Sequence, residues 1–173
     1  NLRWMAVSSH DSGETPATMA PAYDESFVAL FADAHNCPAL ACDPMREISI
    51  QYTSGTTSRP KIVPLSHSNV CASARNISGW LNLQTEDCCL NVMPLFHIHG
   101  LIAAVLSSLC AGAGVACTPG FNALKFFSWI DEIKPSWYTA VPTMHQTILA
   151  RAGRNREILE RNPLRLIRSS SSS

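Results

Sequence analysis

Leu101 to Cys117 is the longest apolar stretch of the chain and carries no charged residue. Serines and glycines break it, and it falls short of the roughly 18–20 uninterrupted apolar residues of a membrane span. It reads instead as a buried helix, expected over His99 to Ala111, running into a buried strand, "GVACT". A helix that is apolar on nearly every face must be covered on most sides. The surrounding chain therefore has to supply layers that enclose it.

The flanking segments fit such layers. "ISIQYT", "CCLNVM", "SWYTAV" and "LRLIRS" read as strands. Between them lie helical patterns. One starts at His67, with Val70, Ala74, Ile77 and Leu81 on one face. In a second, Asn122 caps a helix whose buried stripe is Phe126, Trp129, Ile130 and Ile133. In a third, Thr143 and Gln146 form a capping box, with Ile148, Leu149 and Ala152 turned inward. Strand and helix alternate, which predicts an α/β fold with a parallel, doubly wound sheet and right-handed crossovers. Its strands are expected near residues 48–53, 88–93, 115–118, 137–141 and 165–169. Ligands of such sheets sit beyond the carboxyl ends of the strands. The loops after Tyr52 and Met93 lie at such ends. Residues 1–47 read as an irregular lead-in, with a linker-like "SSHDSGETPATMAP" and a short helix from Tyr23 to Ala34. Residues 48–173 form the regular part.

Composition narrows the partners. Of 173 residues, 46% are hydrophobic and 15% charged, and the formal net charge is zero. Neither nucleic acid nor an acidic membrane is favoured by that balance. The N-terminus lacks the basic-then-apolar pattern of a signal peptide. Seven cysteines with no C-x-x-C pair read as small buried hydrophobes in a reducing, cytoplasmic setting.

"YTSGTTSRPKIVPLSHSN", Tyr52 to Asn69, carries the chemistry. Its first ten residues hold five aliphatic hydroxyls (Thr53, Ser54, Thr56, Thr57, Ser58), one glycine, one arginine and one lysine. A strand followed by a hydroxyl-rich, glycine-containing turn aims backbone N–H and O–H donors at one point, which suits phosphate oxygens. Lys61 adds a full positive charge, and Pro60 stiffens the loop. The run is not a Walker A loop, because no second glycine precedes Lys61.

This run resembles the signature phosphate loop of the adenylate-forming superfamily of AMP-dependent synthetases and ligases. "MPLFHIHG", Met93 to Gly100, is similar to that family's P-x-F-H-x-x-G segment. "YTAVPTM", Tyr138 to Met144, is similar to its strand-to-helix turn. The "TTSRPK" and "HIHG" details resemble the oxalate–CoA ligase-like branch of the acyl-CoA synthetases. The resemblance implies part of the family's large N-terminal domain and a two-step reaction. A carboxylic acid attacks the α-phosphorus of ATP, and the acyl-adenylate then passes to coenzyme A, with Mg2+ as the accompanying ion. Thr53, Ser54, Gly55, Thr56, Thr57 and Lys61 would hold the β- and γ-phosphates. His97 would act in catalysis, lining the acyl pocket and placing the carboxylate. Gly100 would leave room beside it at the start of the next helix. His99 is not carried over by the motif and reads as a structural hydrogen-bonder.

Ser58 and Ile62 stand where the broad motif has glycines, the residues that best tolerate positive φ or a close backbone. The family's later motifs are missing: the magnesium-binding acid, the ribose-binding aspartate and the catalytic lysine of the C-terminal domain. The expectation is an internal fragment whose partner is the remainder of its parent polypeptide, inactive and poorly stable alone. Two other readings stay open. One is a phosphate-binding module without catalysis. The other is a metal-dependent hydrolase using His67, His97 and His99, which lack an accompanying acid or cysteine at ligand spacing.

Overall fold

The computed structural model describes residues 3–5, 43–53 and 61–170. Its main sheet holds β1 (Arg3–Met5), β4 (Cys88–Asn91), β5 (Gly114–Cys117), β6 (Trp137–Ala140) and β7 (Leu166–Ser169), in the spatial order β1-β5-β4-β6-β7. The last four are parallel, and β1 adds antiparallel to β5 at one edge. β1 thus lies within the stretch read as an irregular lead-in; the helix expected from Tyr23 to Ala34 lies outside the described residues.

Alternation along the strands sorts the core into two faces. Cys89, Val115 and Trp137 face one side, where Ala104 and Val105 pack on them. Leu90, Ala116 and Tyr138 face the other, under Phe126, Phe127 and Ile130. The covering helix on the first side is α2, which is π-helical over His99–Leu106 and α-helical over Ser107–Cys110. On the second side lie α3 (Phe126–Ile133), α4 (Pro142–Ala152) and, after a 3-10 turn, α5 (Arg156–Arg161). The chain steps from β4 outward to β5 by α2, then back across β4 to β6 and β7 by helices of the opposite face. Keeping one crossover hand while reversing direction requires that change of face. The apolar helix is therefore enclosed as its composition demands: Ile102, Ala103, Ala104 and Val105 are all buried, with α1 (His67–Trp80) packed outside it.

Two details depart from the sequence expectation. Ile48 to Thr53 is a strand, but it does not join the parallel sheet. β2 (Glu47–Thr53) pairs antiparallel with β3 (Lys61–Ser66) in a separate two-stranded hairpin. β3 feeds α1 directly, through a capping box in which Asn69 N–H donates to Ser66 Oγ and Ser66 N–H to Asn69 Oδ1. The second departure is at α4. It starts at Pro142, with Val141 at the cap position and no side-chain capping bond. Proline's fixed φ suits the first helical position, so Thr143 falls two residues past the cap position. Ile148 is buried as expected, whereas Leu149 is 75% exposed. Asn122 braces the turn that leads into α3 and not the helix itself: its Oδ1 accepts from Leu124 N and Lys125 N, while Lys125 holds the cap position with no side-chain capping bond.

The amino ends of the parallel strands are tied by one polar cluster. Asp87, 5% exposed, accepts from Arg165 Nε at 2.9 Å, Ser136 Oγ at 2.6 Å and Gln84 N at 2.8 Å. Ser136 Oγ in turn accepts from Cys88 N at 2.9 Å. Burial pushes the Asp87 carboxyl up, but the bonds from Arg165, Ser136 and Gln84 outweigh it and hold the group below its ordinary range. Entry points of β4, β6 and β7 thus share one carboxylate.

Candidate active site

The outward step to β5 leaves from β4, and the step to β7 leaves from β6, which is its neighbour. The strand order therefore reverses between β4 and β6. Crevices at such points, beyond the carboxyl ends, are where open α/β sheets bind ligands. The loop after β4 and the ends of β6 and β7 meet there.

β4 ends at Asn91, whose Oδ1 accepts from Met93 N at 3.1 Å and turns the chain out of the sheet. The turn that follows exposes Leu95, Phe96 and Ile98, Phe96 at 85%. His97 is exposed on the same turn. Its Nδ1 accepts from His99 N at 3.1 Å. A ring nitrogen that accepts is unprotonated, so this contact favours His97 with its proton on Nε2, pointing away from the backbone. Gly100 is buried directly behind it. A Cβ there would collide with the Pro94 carbonyl oxygen and come within 2.9 Å of that of Met93. Glycine is thus needed for the close approach of the turn to the helix start.

His99 proves to be more than a neighbour of the motif. Its ring is 4% exposed and lies with Nε2 2.6 Å from Thr139 Oγ1 on β6. Ser170 Oγ, just past β7, is 3.2 Å from both ring nitrogens. Arg168 Nη1 donates to Thr139 Oγ1 and to Ser170 Oγ, each at 3.2 Å. Because a guanidinium only donates, Thr139 is left to donate onward to His99 Nε2, and His99 Nδ1–H to Ser170. Burial first, then the charges of Arg168, His97 and His145, push the His99 imidazole down from 6.5 to about 4. It is neutral at pH 7. No sequence spacing pointed to this cluster, whose members lie 40 and 71 residues from His99. His145 pins the same strand ends from the other face. Its Nε2 donates to the Ala140 and Arg168 carbonyls, and its Nδ1 accepts from Tyr138 O–H.

The hydroxyl-rich loop stands on the hairpin. Thr53 and Lys61 are register partners on β2 and β3 and close the seven residues between them. Ser54, Gly55, Thr56 and Thr57 lie outside the described residues, as does Ser58. Ile62 pairs with Tyr52 within β3 and is 63% exposed. It has no positive φ, so the glycine of the broad motif is not required there. Among the described residues no group of three or more His, Cys, Asp or Glu side chains converges. His67, at the start of α1, is not joined to His97 and His99 in any such group.

A sequence model described as AMP-binding enzyme matches residues 3–171. The chain belongs to the AMP-binding enzyme family. Among curated relatives, an oxalate–CoA ligase of Arabidopsis thaliana is 48% identical over 124 residues, 70% of this chain and 24% of that protein. An oxalate–CoA ligase of Saccharomyces cerevisiae is 40% identical over 100 residues, 58% of this chain and 18% of that one. The chain thus spans about a quarter or less of the length of these relatives. Among solved structures, ATP-bound MatB from Rhodopseudomonas palustris superposes with a TM-score of 0.67 at 25% identity, covering 77% of this chain and 26% of MatB. The α/β fold is that of an AMP-binding enzyme's N-terminal domain. Among its described helices, none is long and apolar enough to cross a membrane.

Proposed function

We propose that this chain, with residues 48–173 as a partial AMP-binding domain, belongs to a longer ATP-dependent acid–thiol ligase. In the first step an oxygen of a carboxylic acid attacks the α-phosphorus of ATP, and pyrophosphate leaves. In the second the thiol of coenzyme A attacks the acyl carbon, and AMP leaves. The family match over nearly the whole chain carries this reading. The hydroxyl-rich loop, held at both ends by the Thr53–Lys61 rung, is suited to gripping the leaving pyrophosphate through Thr53, Ser54, Gly55, Thr56, Thr57 and Lys61. Donors fixed where charge develops stabilise a transition state most. His97, exposed at the switch point, is suited to orienting the incoming carboxylate from its Nε2 side. Gly100 supports that turn without touching the acid. The rest of the parent polypeptide would supply the nucleotide's remaining contacts.

The test is ATP–pyrophosphate exchange in the full-length protein. Lys61→Ala is expected to slow acid-dependent exchange by roughly 10²- to 10³-fold, the cost of one preorganised donor, with little change in denaturation midpoint. Exchange at the parent rate would mean that the loop does not hold the leaving group.

A further inference from the structure

The first eight residues of α2, His99–Leu106, are wound in π-turns closed by i→i+5 bonds. Such turns are rare, occur mostly as single bulges and concentrate at functional sites. Here they follow from what α2 has to reach. His99 lies at one end, its Nε2 2.6 Å from Thr139 Oγ1, and Ala104 packs in the cluster that holds Trp137. Thr139 and Trp137 are two residues apart on β6 and so point to one face of the sheet. His99 and Ala104 must then point to one face of the helix. In an α-helix, residues five apart lie about 140° around the axis from each other. The wider turn of i→i+5 bonding brings them close to alignment. Gly100 fixes the same rotation, because a Cβ there would meet the Pro94 carbonyl oxygen.

Something has to hold this register, since α-turns are the ordinary outcome for an apolar, alanine-bearing run. Ser107 and Ser108 are the two hydroxyl residues of α2, and both are fully buried. Ser107 N–H bonds the Ile102 carbonyl, five residues back, and α-turns begin at the same residue. Where five-residue bonding hands over to four-residue bonding, the amides skip a carbonyl, and that handover falls just past Ile102. Ser107 Oγ donates to the Ala103 carbonyl at 2.8 Å, and Ser108 Oγ to the Ala104 carbonyl at 2.6 Å. The hydroxyls thus supply donors at the junction, where a buried carbonyl left without one is costly.

We infer that Ser107 and Ser108 are positioning residues: they hold α2 in its π register, which seats His99 on Thr139 and sets the turn of His97, whose Nδ1 accepts from His99 N–H. The effect on the reaction rests on the acid–thiol ligase reading; the hold on the register does not. Without the hydroxyls the segment relaxes towards α-turns. That rotation carries the His99 ring off Thr139 and Ser170 and moves the N–H that orients His97.

The experiment uses the full-length protein and a double variant, Ser107→Ala with Ser108→Ala. Imidazole NMR signals are followed against pH, the His99 signal being assigned by its loss in His99→Asn. In the parent protein this ring titrates near 4. In the double variant its midpoint is expected to rise to about 5 or above, towards the ordinary histidine value. The kcat of acid-dependent ATP–pyrophosphate exchange falls about 10- to 100-fold, as for a displaced orienting group, while KM for ATP is unmoved. Val115→Ala is the control. It opens a cavity in the core beneath the same helix and lowers the denaturation midpoint, but leaves His99 titrating near 4. A crystal structure of the double variant reads the bonding directly, with i→i+4 turns expected over residues 99–106. Retained π-turns, an unmoved His99 in the folded double variant, or an equal rise in Val115→Ala overturns the proposal. So does a raised His99 midpoint with unchanged exchange in a protein that ligates acids. If the parent protein ligates no acid, the raised midpoint still upholds the register, and the ligase reading fails alone. Should the double variant not fold, the two single variants decide by the same criteria.

Discussion

Arg165 and Arg168 lie three residues apart, at opposite ends of one short strand, and they live in opposite electrostatic worlds. At the amino end, Arg165 closes a pair with Asp87, and Ser136 ties the same carboxylate to the start of β4. At the carboxyl end, Arg168 faces hydroxyls and a neutral histidine. The first cluster is complete in itself. The second has donors to spare among the described residues. A parallel sheet thus divides its labour along the strand: one end fastens the elements, and the other is left to meet something else.

Substitutions can break that contrast. The largest stability effect is expected at the amino end. Asp87→Ala leaves Ser136 and the Gln84 amide without their buried acceptor, and should cost about 2–4 kcal/mol in chemical denaturation. A loss under about 1 kcal/mol would mean that the cluster is not a fastening.

Acid comes next. The His99 ring is held near 4 in the fold, against about 6.5 in an unfolded chain. Between those values the unfolded state binds the proton and the folded state does not, so stability falls as pH drops from 6.5 towards 4. The full effect is on the order of 3 kcal/mol. Denaturation midpoints of His99→Asn should fall less steeply over that window than those of the parent protein. Asp87, whose carboxyl is held low, adds its own loss only below about 4, so the two limbs separate. A parallel acid limb in His99→Asn would assign the loss to other groups.

Gly100→Ala tests the carboxyl end for packing rather than charge. The added methyl meets two backbone carbonyls, and overpacking of this kind costs about 1–3 kcal/mol. Thermal denaturation reads it directly. The smallest change is expected for Arg168→Gln, which should alter stability by about 1 kcal/mol or less, since it loses only bonds to neutral hydroxyls. A loss as large as that of Asp87→Ala would erase the distinction between the two ends.

The helices and parallel strands were legible because each is a local pattern. Cys88 and Cys89, Val115 and Ala116, Trp137 and Tyr138 each turn to opposite faces, so runs buried on both sides stand out. The β2–β3 hairpin was not legible. "KIVPLS" carries a proline and has exposed Ile62 and Val63, and it reads as the tail of a loop. Pairing is decided by a partner, not by the run itself. At the site, His97 and Gly100 could be found from a contiguous motif. Thr139, Arg168 and Ser170 could not, because strand order alone brings them to His99. Thr143 was misread as a cap because the helix starts two residues earlier, at Pro142.

That long reach has a consequence for the timing of synthesis. Ser170 follows His99 by 71 residues. At about 5–20 residues per second, a ribosome needs roughly 4–14 s to span that gap. β4 is already made when that interval opens and α2 is completed early in it; β6 then arrives with Thr139 before β7 brings its arginine. The nascent chain therefore assembles its apolar layers first and its polar crevice last. A hydrogen-exchange pulse applied to stalled chains would see the α2 amides protected while His99 still lacked Ser170.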